Sequence, residues 1–208
     1  MADVSKYDMT YWLKIGDYER RRYGLVADFY KGYRGRLLDV GCHKGELARF
    51  LPPEIEYVGA DNVVEAFRGA VHVDLNEKRL PFADRSFGAV VCIATLEHLF
   101  YPLELLQECA RVLTDDGRVL VSLPNDRGLS GIAAALFGGI APYETAVGDH
   151  HWKFDLPVAR NLFTHVFEIE REDFHVGPLY ERYLWFLKKR SWCTELFMFG
   201  PKKAGGRS

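Results

Sequence analysis

Residues 37–48 read LLDVGCHKGELA. An apolar run ends at Gly41, a second glycine stands at 45, and a helix-forming stretch begins. This is the pattern of a strand, a tight turn and a helix entry. Glycines there let a ligand approach the backbone, and a helix start offers unpaired amides. A lone unit of this kind cannot bury itself. It demands further parallel strands and helices to cover them, and in such sheets ligands bind beyond the carboxyl ends of the strands.

The rest of the chain supplies that alternation. Residues 36–40, 56–60, 70–73, 87–94 and 118–123 read as five strands. The run FGAVVCIA (87–94) is continuously apolar, the signature of burial on both faces. Residues 46–51 read as a helix stopped by Pro52-Pro53. Residues 103–113 read as a helix with Leu103, Leu106, Ala110 and Leu113 on one stripe, ended at Asp116-Gly117. Residues 155–163 predict a helix capped by Asp155, with Pro157 in its first turn. Residues 167–176 and 194–199 predict two last strands, an antiparallel pair joined across 180–190. Near the start, Tyr7, Tyr11, Trp12, Ile15 and Tyr18 recur at helical spacing and predict an amphipathic helix packed on the core. The small apolar stretch 128–141 reads as a buried helix. The expected fold is α/β: a Rossmann-like, seven-stranded, mostly parallel sheet with helices on both faces and one antiparallel edge strand. It is expected to form one domain over 1–208, with a helical cap (1–35), a cofactor-binding half (36–125) and a substrate-side segment with the last two strands (126–208).

Composition narrows the partners. Twenty-seven Lys and Arg against 29 Asp and Glu give a net charge of −2, so no global field draws the chain to nucleic acid. No run approaches the roughly 18 apolar residues of a membrane span, so stable membrane insertion is not expected. The first residues, MADVSKYDMTYW, lack a secretory-signal pattern. Cys42, Cys92, Cys109 and Cys193 have no zinc spacing and are expected as reduced, mostly buried thiols of a cytoplasmic protein. No metal site is expected: Asp149, His150 and His151 are adjacent residues, which seldom converge on one ion, and no fourth ligand is evident. Arg20-Arg21-Arg22 and Lys188-Lys189-Arg190 read as solvated faces.

The loop itself discriminates between ligands. A dinucleotide site wants G-x-G-x-x-G, whereas this loop is G-x-x-x-G with His43 at its centre. Asp39 would repel a diphosphate but suits the ammonium of an amino-acid moiety. Asp61, twenty residues after Gly41, ends the next strand, where a carboxylate accepts from the hydroxyls of a ribose. Asp74 ends the third strand and is either an acceptor for an adenine amino group or a turn residue. No P-loop motif is present.

The series LLDVGCHKGELA, EYVGADN, VHVDL, LPFADRSFGAVVCIATLEHL and ECARVLTDDGRVLVSLPN resembles, in order and spacing, the motifs of the class I S-adenosylmethionine-dependent methyltransferases. The resemblance covers residues 36–125. It implies that Asp39, Gly41, Cys42, His43 and Gly45 surround the methionine part of S-adenosylmethionine, and that Asp61 with Asn62 meets the ribose. It further implies that Asp74 and Leu75 meet the adenine, and that the backbone of Ala94 touches the cofactor. The family pattern has glycine where this chain has His43, a departure that narrows the loop. Glu97-His98 match the stretch opening the following helix. Residues 148–154 are similar to a loop over the substrate side in relatives that methylate quinone precursors and other small hydroxylated molecules. The resemblance thus implies a small-molecule acceptor, methylated most readily on a hydroxyl oxygen. Histidine is the natural base for such an acceptor, and His98, His150 and His151 are the candidates. Two rivals stay open: a non-catalytic S-adenosylmethionine-binding protein of the same fold, and a nicotinamide-dependent oxidoreductase. A homodimer is the arrangement an exposed 128–141 stretch would favour.

Overall fold

The computed structural model describes residues 9–62, 70–77, 79–125, 150–176 and 193–203, with the backbone alone for 9–15 and 17. The sequence readings on 128–141, 148–149 and 180–190, and on the side chains of Tyr7, Tyr11, Trp12 and Ile15, lie outside that set.

The elements are α1 (Met9–Phe29), β1 (Gly35–Val40), β2 (Ile55–Asp61), β3 (Val71–His72), β4 (Phe87–Ile93), α2 (Pro102–Val112), β5 (Leu113–Pro124), α3 (Leu156–Thr164), β6 (Arg171–His175) and β7 (Glu195–Pro201). They form one seven-stranded sheet in the order β3-β2-β1-β4-β5-β7-β6. β1 to β5 pair in parallel, and β7 pairs antiparallel with both β5 and β6. The seven strands, the parallel body and the antiparallel pairing at one edge match expectation. β7 is inserted second from the edge, and β6 is the edge strand itself.

The continuous apolar run in β4 is explained by its two faces. Val90 and Cys92 enter one core with α2 and α3, while Ala89 and Val91 enter the other with Val26 of α1 and Tyr30 just after it. Both cores are deeply buried: Phe87, Phe154, Phe163 and Phe167 in the first and Leu37, Leu47 and Phe197 in the second are almost wholly shielded. Such a side chain contributes about 1.5–3 kcal/mol of hydrophobic stabilisation when buried.

Several local readings shift. The helix expected over 46–51 shrinks to a four-residue 3-10 turn, Glu46–Arg49, because Pro52 follows so closely. α2 buries Pro102, Leu105, Leu106, Cys109 and Val112: Leu106 of the expected stripe is kept and Leu113 is buried as the first residue of β5, while Leu103 and Ala110 are half-buried. Arg111 sets that rotation, donating to Glu108, Asp84 and the carbonyls of Leu80 and Phe82 and so facing the loop before β4. The Asp116-Gly117 turn persists as a bulge inside β5: Phe87 pairs with Leu113, but Ala89 pairs with Arg118. Asp155 caps α3 as predicted, its Oδ1 accepting from the Val158 N–H at 3.0 Å.

Candidate active site

The carboxyl ends of β1, β2, β4 and β5 bring the predicted residues to one end of the sheet. Gly41 has φ +79°, and a Cβ there would lie 2.3 Å from Thr95 Oγ1. Only glycine fits both the conformation and the contact. His43 has φ +45° and Gly45 φ +66°, so the loop turns through the left-handed region three times. That is the physical reason a glycine belongs at 43, and a side chain there costs about 1–2 kcal/mol. The His43 N–H donates to Asp61 Oδ2 at 2.7 Å, which pins the loop to the end of β2.

Asp39 is 4% exposed, and its Oδ2 accepts from the Tyr57 hydroxyl at 2.6 Å. Burial pushes its carboxyl up to about 7, against the pull of the Tyr57 hydrogen bond and with the Asp61 charge adding to the rise. A cation brought beside this group would offset its burial. Burial, aided by Asp39 and Asp61, raises the Cys42 thiol to about 12, so it stays protonated. Asp61 is also buried, and a carboxylate has about four lone-pair sites, more than the His43 N–H alone would fill. Asn62 is exposed. Asp74 is exposed and closes its own turn, accepting from the Asn76 N–H at 2.9 Å, while Leu75 beside it is buried.

Past β4, Ala94 has φ +46°, and its N–H donates to Ser122 Oγ at 3.1 Å and Ser122 O at 3.3 Å. Thr95 packs on Gly41 and donates to the Ile93 carbonyl at 2.9 Å. The 3-10 turn Leu96–His98 follows. The Glu97 carbonyl accepts from the N–H groups of His151 and Trp152, and Trp152 Nε1 donates to the Leu99 carbonyl at 2.9 Å. These bonds fold the 150–154 segment onto the turn. The rings of His98 and His150 meet edge to face at 4.7 Å, and His151 stacks on Phe100 at 4.4 Å. Glu97, His98 and His150 each place a ligating atom within 4.8 Å of the others, a grouping also able to hold a cation. The sequence reading expects no metal and sets aside the one grouping it weighs, Asp149 with His150 and His151. An apolar cleft of about 370 Å³ adjoins this cluster, lined by Phe100, Tyr101, Leu103, Trp152, Phe154 and Leu162 among others. A larger cleft of about 740 Å³ lies at the opposite end of the sheet, among Tyr30, Tyr33, Gly88 and Arg118, away from every candidate residue.

The residues fit S-adenosylmethionine: a buried carboxylate for an ammonium, a second for a diol, and between them a turn whose first glycine leaves no room for a side chain. A four-residue 3-10 turn supplies little of the amide array and dipole that a diphosphate needs, which disfavours a nicotinamide dinucleotide.

A family model described as a methyltransferase domain matches residues 18–173, three quarters of the chain. The chain belongs to this family. The chain is 32% identical over 166 residues to the ubiquinone biosynthesis O-methyltransferase of Xanthomonas oryzae pv. oryzae, covering 70% of this chain and 66% of that protein. The match thus spans just under two thirds of the relative's length. Among solved structures, the fold superposes on a SAM-dependent methyltransferase from Archaeoglobus fulgidus with TM-score 0.68 at 17% identity, covering 94% of this chain and all of that one. It also superposes on the [4+2]-cyclase SpnF with TM-score 0.61 at 18% identity, over 89% and 82% of the two chains. Such likenesses show the fold alone, and the second shows that the fold also serves other chemistry.

Sequence reasoning missed several groups around the methyltransferase cleft. Tyr57 and Thr95 lie inside the motif stretches quoted above, but the sequence assigns neither a role. Arg22, read as part of a solvated face, is only 15% exposed and is ion-paired with Glu195 at 2.9 Å. The one available signal was a lone acid opening the apolar run TELFMF.

Proposed function

We propose that this methyltransferase moves a methyl group from S-adenosylmethionine to a hydroxyl oxygen of a small-molecule acceptor in the cytoplasm, where His98 and His150 receive the acceptor's proton. The observation that carries this reading is the convergence of those two rings, from opposite ends of a long stretch of chain, at the turn that starts from Thr95, the residue packed on Gly41. The cofactor supplies an electrophilic methyl group and its own leaving group. What remains for the protein is position, exclusion of water and a proton acceptor. Asp39 is read as the partner of the amino-acid ammonium and Asp61 as that of the ribose hydroxyls. Asp74 and Leu75 are read as bordering the adenine, with Leu75 giving the apolar contact. His151, stacked on Phe100, holds the rim of the apolar cleft, which suits the hydrocarbon part of an aromatic or lipid-like acceptor. The name of the Xanthomonas relative supports an oxygen acceptor.

The test is turnover of catechol-like and phenolic acceptors by the parent, H98N and H150N, with binding of S-adenosylhomocysteine measured on the same samples. A drop of about 10²–10⁴ in kcat with product binding within threefold supports a proton-accepting pair. Parent-like turnover in both variants overturns it. Loss of turnover in EDTA, restored by a divalent cation, would instead give the Glu97–His98–His150 cluster to an ion. A protein that binds the product but methylates none of the panel would favour the non-catalytic reading.

A further inference from the structure

Because β7 runs against the parallel strands, its first residue arrives at their carboxyl ends. Glu195 is level with Pro124 of β5 on one side and His175 of β6 on the other. It is 1% exposed. Its Oε1 accepts from Ser122 Oγ at 2.6 Å, and its Oε2 accepts from Arg22 Nε at 2.9 Å and the Tyr18 hydroxyl at 3.0 Å. Ser122 has one hydroxyl proton, and it is directed at Glu195. Its lone pairs are therefore left to receive the Ala94 N–H, at 3.1 Å. A continuous chain of contacts thus runs from α1 through β7 and β5 to the left-handed residue that ends β4.

Two features set this chain apart from scaffolding. A buried ion pair is poor value for stability, because apolar residues of the same volume often serve as well or better. Its place also matters: α1 runs on for nine residues beyond Tyr18 toward Met9, roughly 13 Å at 1.5 Å per residue. Meanwhile the other end of α1 is fixed near the base of the sheet, where the Tyr30 hydroxyl donates to the carbonyls of Val90 and Arg118. The first two turns of α1 therefore project past the level of Glu195, at the cofactor end of the sheet.

We propose that Glu195 is a positioning residue of the cofactor cleft, holding α1 as its lip through Arg22 and Tyr18 and fixing the Ala94 backbone through Ser122. This rests on the S-adenosylmethionine reading above. A carboxylate is needed because three donors converge on it, two on one oxygen and one on the other. In E195Q an amide NH₂ would have to face one of those donors.

The experiment titrates S-adenosylhomocysteine calorimetrically into the parent, S122A and R22M/E195M, with a thermal melt and hydrogen exchange of the α1 amides for each. S122A leaves a buried carboxylate oxygen without its donor, so it is expected to melt several degrees below the parent yet stay folded at the titration temperature, and to bind about tenfold more weakly, with KM for the cofactor raised and kcat unchanged. R22M/E195M is expected to recover parent-like stability but not affinity, and to exchange faster in residues 9–18. Parent-like affinity in S122A overturns the proposal whatever the double variant does. A parent that ignores the nucleoside while retaining its fold sinks the cofactor reading itself, an outcome separable from the first.

Discussion

The two sides of the cleft are assembled in different ways. On the cofactor side, Asp39, Gly41, His43 and Gly45 belong to one strand and its turn, and Asp61 ends the strand beside it. Their geometry follows from local rules: a parallel register, a glycine where Thr95 leaves no room, a carboxylate at each strand end. On the acceptor side nothing is local. His98 meets His150 only because the 150–154 segment folds back onto the turn after β4, and even the lip of the cofactor cleft is convergent, since Arg22 meets Glu195 only where β7 lies beside β5. A contiguous site is specified by a motif, whereas a convergent one is specified by topology and can vary without disturbing the fold.

The largest effect that would break this contrast is on binding. D61A removes a carboxylate able to take two charge-assisted bonds from a diol, each worth about 1.5–3 kcal/mol. It should weaken S-adenosylhomocysteine binding by about 100-fold or more, while H98N and H150N leave binding within threefold and lose turnover. Equal losses of binding from both sides in calorimetric titration would mean that the two sides are one cooperative unit.

The second effect sharpens the cofactor side. The Asp39 carboxyl sits at about 7 in the protein, above its ordinary value of 3.8. A group raised in this way favours the fold when protonated, so its contribution to the unliganded protein's stability is full below about pH 4. It is lost as pH rises through about 7. An ammonium ligand needs the carboxylate, so binding should strengthen about tenfold per pH unit up to about 7. It should weaken again once the ligand's α-amino group, with a pKa of about 8, loses its proton. Y57F removes a hydrogen bond that favours the carboxylate and should move the rising limb to higher pH. Flat affinity between pH 5.5 and 7.5 would remove Asp39 from the ammonium site.

The same contrast explains what could be read from the sequence. The strands, their order of appearance and the glycine loop were legible because each depends on residues within ten positions of one another. The Asp155 cap was legible for the same reason. The rotation of α2 was not, since it depends on Arg111 reaching the carbonyls of Leu80 and Phe82. Arg22 in a run of three arginines looked solvated because its partner lies 173 positions away. Asp74 had two readings in the sequence; the structure shows it exposed and closing a turn, which leaves its adenine contact to experiment.

The smallest effect concerns His43. Its φ of +45° is one that an L side chain occupies at a cost of about 1–2 kcal/mol, and glycine occupies freely. Glycine also loses about 0.5–1 kcal/mol more conformational entropy on folding, so H43G should gain only about 0.5–1 kcal/mol net. For a chain of this length that is a rise of about 1–4 °C in melting temperature. The bond from the residue 43 N–H to Asp61 involves only the backbone, so H43G should retain it, and cofactor affinity should change less than about fivefold. A gain in affinity of a hundredfold would instead show that the imidazole obstructs the cleft, and the His43 departure would then bear on binding and not on backbone strain alone.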